Sequence, residues 1–210
     1  MLHIEPTHHA IKSTIDSLQT IYTVVLGLSL GEAFMQFVAE DPANKTEHRI
    51  CWERMVNLIS FLFLIIPFFH GMNRYFFDTY LKSLGPGSRY GGHLLVDCAV
   101  FTSEGGLFFI LCRSLSRTQW RRFYFTVIAL LALDLGWSSI VIWRSSSAIQ
   151  AWIILDVAGI VAISLILTIF RSKQNLGLRL GPIVGLVVVF LRTVADYWSS
   201  WSFYFPHGGQ

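Results

Sequence analysis

Acidic side chains lie inside nearly every long hydrophobic segment of this chain, and this pattern limits what the chain can fold into. Six apolar segments follow one another, and five of them contain acids, which are Glu32, Asp97, Glu104, Asp134, Asp156 and Asp196. The other apolar segment contains His70. An ionisable residue inside a membrane costs about 2.5–3.5 kcal/mol, so it faces protein or water rather than lipid. These acids must therefore be buried in protein, solvated, protonated or paired.

The composition is that of an integral membrane protein. Of the 210 residues, 53% are hydrophobic and 14% are charged, whereas a soluble domain has about 25% charged residues. The longest connections between apolar segments are about 15 residues, which is too short for a separate soluble domain. We therefore predict one multi-pass membrane domain over residues 1–210, in the plasma or inner membrane if the source is prokaryotic.

Apolar stretches of about 20 residues, the length that crosses a bilayer as a helix, predict an all-α transmembrane helix bundle with short loops. The six predicted spans are Leu18–Val38, Met55–Phe77, His93–Cys112, Arg122–Trp143, Ile149–Phe170 and Leu180–Tyr204. Tryptophan favours the membrane–water interface, and Trp152 and Trp198 lie near predicted span ends. The third span is the least hydrophobic because it contains Asp97, Glu104 and two glycines.

Basic residues are distributed unevenly between the two sides of the predicted bundle. Ten lysines and arginines lie in or beside loops 1, 3 and 5, and five lie on the opposite side. Because basic loops mark the cytoplasmic side, both termini are predicted outside the cytoplasm. The net charge of +3 is small and its basic residues lie mostly in loops, so we expect the lipid bilayer and no nucleic acid as a partner.

The three cysteines, Cys51, Cys98 and Cys112, give no indication of a metal site. They form neither a CxxC motif nor a zinc-binding spacing with histidines. Cys98 and Cys112 fall in one predicted helix, about 21 Å apart at 1.5 Å per residue, so they cannot bridge each other. We therefore expect no metal and no cofactor.

Most intramembrane polar residues fall in one half of the predicted bundle. If six spans alternate in direction, the half nearest both termini, called the terminal half below, holds His70, Asp97, Asp134, Asp156 and Asp196. Glu104 and Arg192 fall near the midplane, and Glu32 is alone in the opposite half. This grouping does not depend on which side is cytoplasmic.

An acidic cluster with one arginine has two interpretations. The functional one is a vestibule that attracts cations, or a proton relay, using all six acids and Arg192. The alternative is a set of polar clamps between helices, such as Asp196 with Arg192 one turn away. Hydrogen bonds between membrane helices contribute only about 0.6–2 kcal/mol each, which is small beside the insertion cost of the acids. We therefore predict that at least two acids belong to an ion pathway or relay.

Histidines and acids at helical spacing also fit an intramembrane enzyme. One face of the third span carries His93, Asp97 and Glu104, and the second span has similar spacing in His70, Arg74 and Asp78. Such groups supply metal ligands or acid–base partners. An interfacial hydrogen-bond network explains the same residues, and the chain lacks an HExxH motif. We therefore name no catalytic residue.

Small and hydroxyl residues form a stripe on the first span. Its members are Asp16, Thr20, Thr23, Gly27 and Gly31, at helical spacing. Such a stripe allows close helix packing. It also suits a pore wall, where hydroxyl and backbone groups replace water around an ion.

Pro67 interrupts the second span. A proline inside a helix removes a backbone hydrogen bond and bends the helix. Gly71 follows within a turn, and His70 lies between the two. These three residues form either a static bend or the hinge of a gate.

The second span also carries a family-like motif. A phenylalanine-rich run in residues 57–77 ends in Phe69, His70, Asn73, Arg74 and Phe76, which approximate an aromatic-x-His-x-x-Asn/His-Arg-x-Phe pattern. It resembles the second helix of the bacterial relatives of the endolysosomal potassium channel, and chain length and span count agree with that family. The Phe-Ser-Asp signature of the family's first helix is absent from residues 12–17, and the family's termini are cytoplasmic. The resemblance implies a cation channel of several subunits with helix 1 around the pore.

Three functions fit these patterns. The first is a small homo-oligomeric channel for monovalent cations or protons, either a housekeeping path or a membrane-depolarising effector; symmetry around one helix would create a pore that a single bundle lacks room for. The second is a proton-coupled transporter that uses the acids as a relay. The third is an intramembrane His/Asp enzyme, although we expect no enzymatic activity. A structural or partner-binding subunit also stays open, and the sequence does not identify an activating partner or ligand.

Overall fold

The computed structural model describes residues 5–38, 52–81, 91–115, 120–142, 147–171 and 174–206. The seven helices found there are α1 (Glu5–Val38), α2 (Trp52–Phe76), α3 (Gly91–Cys112), α4 (Trp120–Val141), α5 (Ser147–Ile169), α6 (Gln174–Ser199) and α7 (Trp201–Tyr204). A π-helical turn, Phe77–Leu81, extends α2. Six of these helices are long and apolar enough to cross a membrane, which confirms the predicted all-α bundle.

The last predicted span is broken near its end. The sequence predicts a continuous span up to Tyr204, but α6 ends at Ser199 and α7 starts at Trp201. Ser200 leaves the helical conformation, with φ −110° and ψ 22°, while its N–H still donates to Asp196 O at 2.9 Å. The break lets α7 turn back toward α2, which it contacts.

The six long helices form a closed ring. Neighbouring helices pack in the order α1, α3, α4, α5, α6, α2 and back to α1. Smaller contacts of α2 with α3 and of α4 with α6 cross the centre. Sequence neighbours α1 and α2 therefore meet at one side of the ring, and residues from every helix can reach its middle.

The interior of the ring differs between the two halves of the membrane. From the centre into the opposite half it is filled mainly by fully buried apolar side chains, among them Phe61, Leu64, Phe108, Phe123, Leu130 and Leu131. The Phe108 ring meets those of Phe61 and Phe68 edge to face, with centroids 6.0 Å and 5.5 Å apart. From the centre into the terminal half the interior contains the buried acids. The polar site thus lies on the terminal side of this apolar packing.

Pro67 is accommodated inside α2 by a side chain from α6. Proline has no N–H, so the Phe63 carbonyl four residues earlier loses its usual donor. Thr193 Oγ1 donates to Phe63 O at 2.8 Å, and α2 continues through Pro67 to Phe76. In lipid, an unsatisfied carbonyl costs several kcal/mol, so this bond lets α2 keep its proline. It also ties the bend in α2 to α6.

We expect Thr193→Val to destabilise the fold by about 0.6–1.7 kcal/mol, the range of hydrogen bonds between membrane helices. In a Pro67→Ala background the cost should fall, because the introduced alanine would supply the missing N–H to Phe63 O. Unfolding in mixed micelles of increasing SDS content measures all four proteins of this cycle. Thr126→Val is a matched control, since Thr126 bonds to Arg122 O in its own helix. Equal costs in both backgrounds would contradict the role of Thr193.

Candidate functional site

Five charged side chains from four helices meet near the centre of the ring. The group, called the Arg192 cluster below, consists of Glu104 of α3, Asp134 of α4, Asp156 of α5, and Arg192 and Asp196 of α6. Each of them is at least nine-tenths buried. The structure therefore brings together five of the seven residues that the sequence predicts for an ion pathway or relay.

Arg192 connects two acids on neighbouring helices. Its Nη2 atom lies 2.5 Å from Asp156 Oδ1 and 4.0 Å from Asp134 Oδ2. The sequence suggests instead that Arg192 clamps Asp196 one helical turn away. The Arg192 side chain leaves its own helix face and crosses to α5 and α4, so it acts between helices.

Two apolar residues shape the position of Arg192. The guanidinium stacks on the Phe68 ring, with its carbon 5.5 Å from the ring centroid. Gly159, one turn after Asp156, leaves the space beside α5, because a Cβ there would lie 3.6 Å from Arg192 Cδ and 2.9 Å from Leu131 Cδ1. The cation is thus held by packing on two sides as well as by its acid.

The charges of the Arg192 cluster do not balance. One guanidinium faces four carboxyl groups, and an isolated buried carboxylate is strongly disfavoured. Among the described residues, Glu104 Oε1, Asp156 Oδ2, and Arg192 Nε and Nη1 have no hydrogen-bond partner. The three carboxyls in excess of the ion pair must therefore carry protons, accept hydrogen bonds from neutral donors or attract a cation.

A cavity of about 30 Å³ adjoins the cluster. Its polar lining consists of Glu104, Asp134, Arg192 and Asp196, and Pro67 and Gly71 of α2 form part of its wall. One water needs about 10–15 Å³ of such volume, so the cavity has room for about two waters. The carboxyls can therefore exchange protons through very few molecules.

Asp196 closes the cavity on the terminal side together with two aromatic donors. Trp152 Nε1 donates to Asp196 Oδ1 at 2.9 Å, and the Tyr204 hydroxyl lies 3.2 Å and 3.1 Å from the two carboxyl oxygens. Trp152 is therefore a buried donor rather than an interfacial anchor as its position in the sequence suggests. Tyr204 reaches the site because α7 folds back, where Arg74 Nε donates to Phe203 O at 2.9 Å.

Asp97 lies outside the Arg192 cluster and has a different environment. Three donors surround it: Tyr75 OH at 3.1 Å, Tyr80 OH at 2.5 Å and Trp137 Nε1 at 2.8 Å. These donors come from α2, its π-helical turn and α4, so Asp97 of α3 joins three elements. Of the two interpretations for the acids, the polar clamp fits Asp97.

Glu32 is also separate from the cluster. It lies in the opposite half, where Gln36 Nε2 donates to Glu32 Oε1 at 2.9 Å and Arg113 Nε is 3.9 Å away. Its side chain is partly exposed. This matches its predicted depth and makes Glu32 a useful intramembrane comparison for the buried acids.

The small-residue stripe of α1 faces outward from the ring. Thr20 and Thr23 are exposed and donate to carbonyls of their own helix, Asp16 O and Gln19 O, each at 2.7 Å. Gly27 and Gly31 are exposed, and a Cβ built on either would meet nothing within 4 Å. The stripe lines no part of the central cavity, and within the described residues it is not used for packing.

The three predicted hinge residues occupy two faces of α2. Pro67 and Gly71 line the cavity, and Gly71 leaves room for the Tyr204 hydroxyl, which would lie 3.4 Å from an added Cβ. His70 packs instead among terminal-side aromatics, with its Nδ1 atom 3.3 Å from Tyr197 OH. A change in the bend of α2 would thus alter both the cavity and its Tyr204 cover.

The groups considered for an intramembrane enzyme are not brought together. Arg74 pairs with Asp78 at 2.9 Å, His70 contacts Tyr197, and Asp97 is surrounded by its own donors. The His93 side chain lies outside the described residues. Within the part of the chain that the structure describes, no three His, Cys, Asp or Glu residues form a potential metal site.

The chain matches no protein-family model, no curated protein and no solved structure. The resemblance of residues 57–77 to the potassium channel relatives is therefore untested by these comparisons. Function must be inferred from the geometry of the Arg192 cluster and from the outward face of α1.

Several residues of the site give little signal in the sequence. Trp152, Tyr204, Gly159 and Thr193 have ordinary residue types at ordinary positions in apolar segments. Their roles depend on which helices become neighbours, and the ring order places α5 and α7 next to α6. Only the spacing of Asp156 and Gly159, which share one helix face, indicates a polar group with space beside it.

We expect Arg192→Met to destabilise the protein by about 3–5 kcal/mol, because it leaves Asp156 buried without its cation. Asp156→Asn in the same chain should restore much of this loss by removing the uncompensated charge. Denaturation in mixed micelles measures both effects. Arg113→Met is the control, since that exposed arginine near Glu32 contributes at most about 1 kcal/mol. If the double variant were as unstable as the single one, packing on Phe68 rather than charge would explain the role of Arg192.

Proposed function

We propose that this multi-pass membrane protein is a proton-coupled transporter in which the Arg192 cluster binds and releases the proton. The observation that carries the proposal is the convergence of four buried carboxyls on one arginine beside a small cavity. Intramembrane acids grouped in this way are typical of proton relays in pumps and transporters. A site that binds protons needs no wide pore, and the cavity has room for only about two waters.

The apolar packing of the opposite half favours a transporter over an open pore within one chain. Phe108 packs edge to face on Phe61 and on Phe68, the ring that contacts Arg192, and a hydrophobic constriction blocks ions by excluding water. The cluster can thus face only the terminal side in this arrangement. Transport then requires a second arrangement in which the opposite side becomes accessible.

Arg192 offers a way to couple proton binding to helix movement. When Asp134 holds a proton it competes weakly for the guanidinium, and Asp156 keeps the ion pair at 2.5 Å. In the structure, Asp134 Oδ2 lies 4.0 Å from Arg192 Nη2. When Asp134 loses its proton, this carboxylate attracts the guanidinium that Asp156 otherwise holds. Because Asp134, Asp156 and Arg192 lie on α4, α5 and α6, this exchange shifts three helices relative to one another.

We expect Asp134→Asn to slow proton uptake by proteoliposomes by on the order of 10²-fold, the low end of the effect of losing a positioned proton-transfer group. Asparagine keeps the shape of the side chain but holds no transferable proton. Uptake driven by a potassium diffusion potential and followed with a pH-sensitive dye gives the rate. Glu32→Gln, a neutralised intramembrane acid outside the cluster, is the matched control and should keep the wild-type rate. Equal rates in Asp134→Asn and wild type would contradict the relay.

A second candidate function, the homo-oligomeric cation channel, is favoured by one observation. The stripe of Thr20, Thr23, Gly27 and Gly31 is exposed on α1, where copies arranged around a symmetry axis could line a pore. The family resemblance of α2 implies the same arrangement. In this function the Arg192 cluster would stabilise each subunit, and conduction would occur between subunits.

The channel predicts that Gly27→Leu with Gly31→Leu abolishes ion flux, because bulky apolar side chains would fill the pore and exclude water. Flux of potassium from proteoliposomes is the measurement. The control is a pair of substitutions on an equally exposed part of α1, Val24→Leu with Leu28→Val, which leaves the stripe intact. Unchanged potassium flux in the glycine variant would rule out α1 as the pore helix. Unchanged proton uptake by the same variant would agree with the transporter.

A further inference from the structure

We propose that the cavity of the Arg192 cluster binds ammonium or a small primary amine in its protonated form, such as methylammonium, in exchange for protons. Only the exchange of the amine for protons rests on the proposed transporter function. Binding itself depends on the cavity and can be measured without transport. The amine would be the transported partner of the proton at this site.

The charge of the lining selects a cation. Glu104, Asp134 and Asp196 line the cavity together with Arg192. The guanidinium is already paired at 2.5 Å with Asp156, which is not among the lining residues. Three carboxyls therefore remain in excess at the cavity wall, and a bound cation would neutralise one of them in place of a proton.

One carboxyl oxygen is available to such a ligand. Glu104 is 1% exposed, and its Oε1 atom has no hydrogen bond of normal geometry among the described residues, although the Tyr22 hydroxyl lies beside the same carboxyl. Leaving a buried charged acceptor unsatisfied is costly. An ammonium group has only donors, so it satisfies this oxygen and can reach further oxygens on Asp134 and Asp196. A bound anion could meet the unpaired Arg192 Nε and Nη1 donors, but it would add negative charge beside Glu104, Asp134 and Asp196 and leave their acceptors unsatisfied.

The rest of the wall is aromatic, which favours an organic ammonium over a hydrated metal ion. The rings that line the cavity belong to Phe68, Phe101, Trp137, Trp152 and Tyr204. Aromatic faces attract cations and are used to recognise ammonium ligands. Trp152 and Tyr204 are fixed by their bonds to Asp196, so these two rings are held in place before a ligand arrives.

The volume limits the ligand to about two heavy atoms. The cavity of about 30 Å³ holds about two water-sized groups. Ammonium has one heavy atom and methylammonium has two, whereas tetramethylammonium is too large. The structure thus assigns a narrow class of ligand by charge, wall chemistry and size together.

Protons should compete with the amine. The titratable groups around the cavity are Glu104, Asp134, Asp156, Asp196, Tyr22 and Tyr204, and the charged group is Arg192. Protonation of the carboxyls removes the negative charge that attracts the amine. Binding should therefore weaken as the pH falls, and binding at constant pH should release protons.

The test titrates purified protein in detergent with methylammonium chloride and follows the tryptophan fluorescence, to which the cavity residues Trp137 and Trp152 contribute. A ligand of two heavy atoms binds with a Kd on the order of 5–10 mM at best, so the titration extends to about 100 mM. Sodium chloride at equal ionic strength is the baseline. Saturable binding that ammonium displaces and tetramethylammonium does not is the expected result.

Two variants link the signal to this cavity. Glu104→Gln should weaken binding about tenfold to hundredfold, the loss expected for one charge-assisted hydrogen bond. Glu32→Gln is the matched control and should bind like wild type. Phe101→Leu, which removes one ring from the wall and keeps an apolar side chain, should weaken binding by about fivefold. It provides the comparison if Glu104→Gln fails to fold, as judged by its thermal melting.

The outcomes separate this inference from the proposed function. Absence of saturable binding over the full titration would overturn the amine site even if proton uptake by proteoliposomes were normal. Displacement by sodium or potassium as effective as by ammonium would replace the amine with an alkali cation. Unaltered binding in both Glu104→Gln and Phe101→Leu would place the ligand elsewhere. Binding that depends on Glu104, with no proton uptake when an outward methylammonium gradient drives the exchange, would keep the amine site and overturn the proton-coupled transporter.

Discussion

The structure depends on one buried arginine that must satisfy more acids than a single cation can. Arg192 pairs closely with Asp156 and lies 4.0 Å from Asp134, in a region where an unpaired charge is strongly disfavoured. The helix ring, the space left by Gly159 and the stacking on Phe68 all serve to hold this guanidinium between helices. Because the remaining carboxyls stay without a partner cation, the same constraint that stabilises the bundle also creates a site able to take up protons or cations.

The acids of this protein fall into two kinds that sequence alone does not separate. Asp97 receives three hydrogen bonds, so both of its carboxyl oxygens are satisfied by fixed donors and it joins neighbouring helices. Glu104 has a carboxyl oxygen without a hydrogen-bond partner of normal geometry among the described residues, and it lines the cavity. The number of donors around each buried carboxyl, rather than its depth in the membrane, separates Asp97 from Glu104, and Asp196, with Trp152 and Tyr204 as donors, lies between them.

Hydrophobicity and helix length predict the fold because each membrane helix satisfies its own backbone. The grouping of Asp134, Asp156 and Asp196 in one half also follows from helix direction alone. The partners of those acids do not, because they depend on the ring order, which places α2 next to α6 although three helices separate them in sequence. Trp152 therefore looks like an interfacial residue until the contact with Asp196 is known, and the break at Ser200 is hidden in a continuous apolar pattern.

The position of Arg192 on α6 has a consequence for biosynthesis. The chain is made from its N-terminus, so Glu104, Asp134 and Asp156 enter the membrane before the arginine that neutralises one of them. A nascent chain with five helices contains an open ring and three uncompensated acids. Such an intermediate must keep these acids protonated or at the water interface until α6 inserts. Insertion of α6 then closes the ring and supplies the cation that pairs with Asp156.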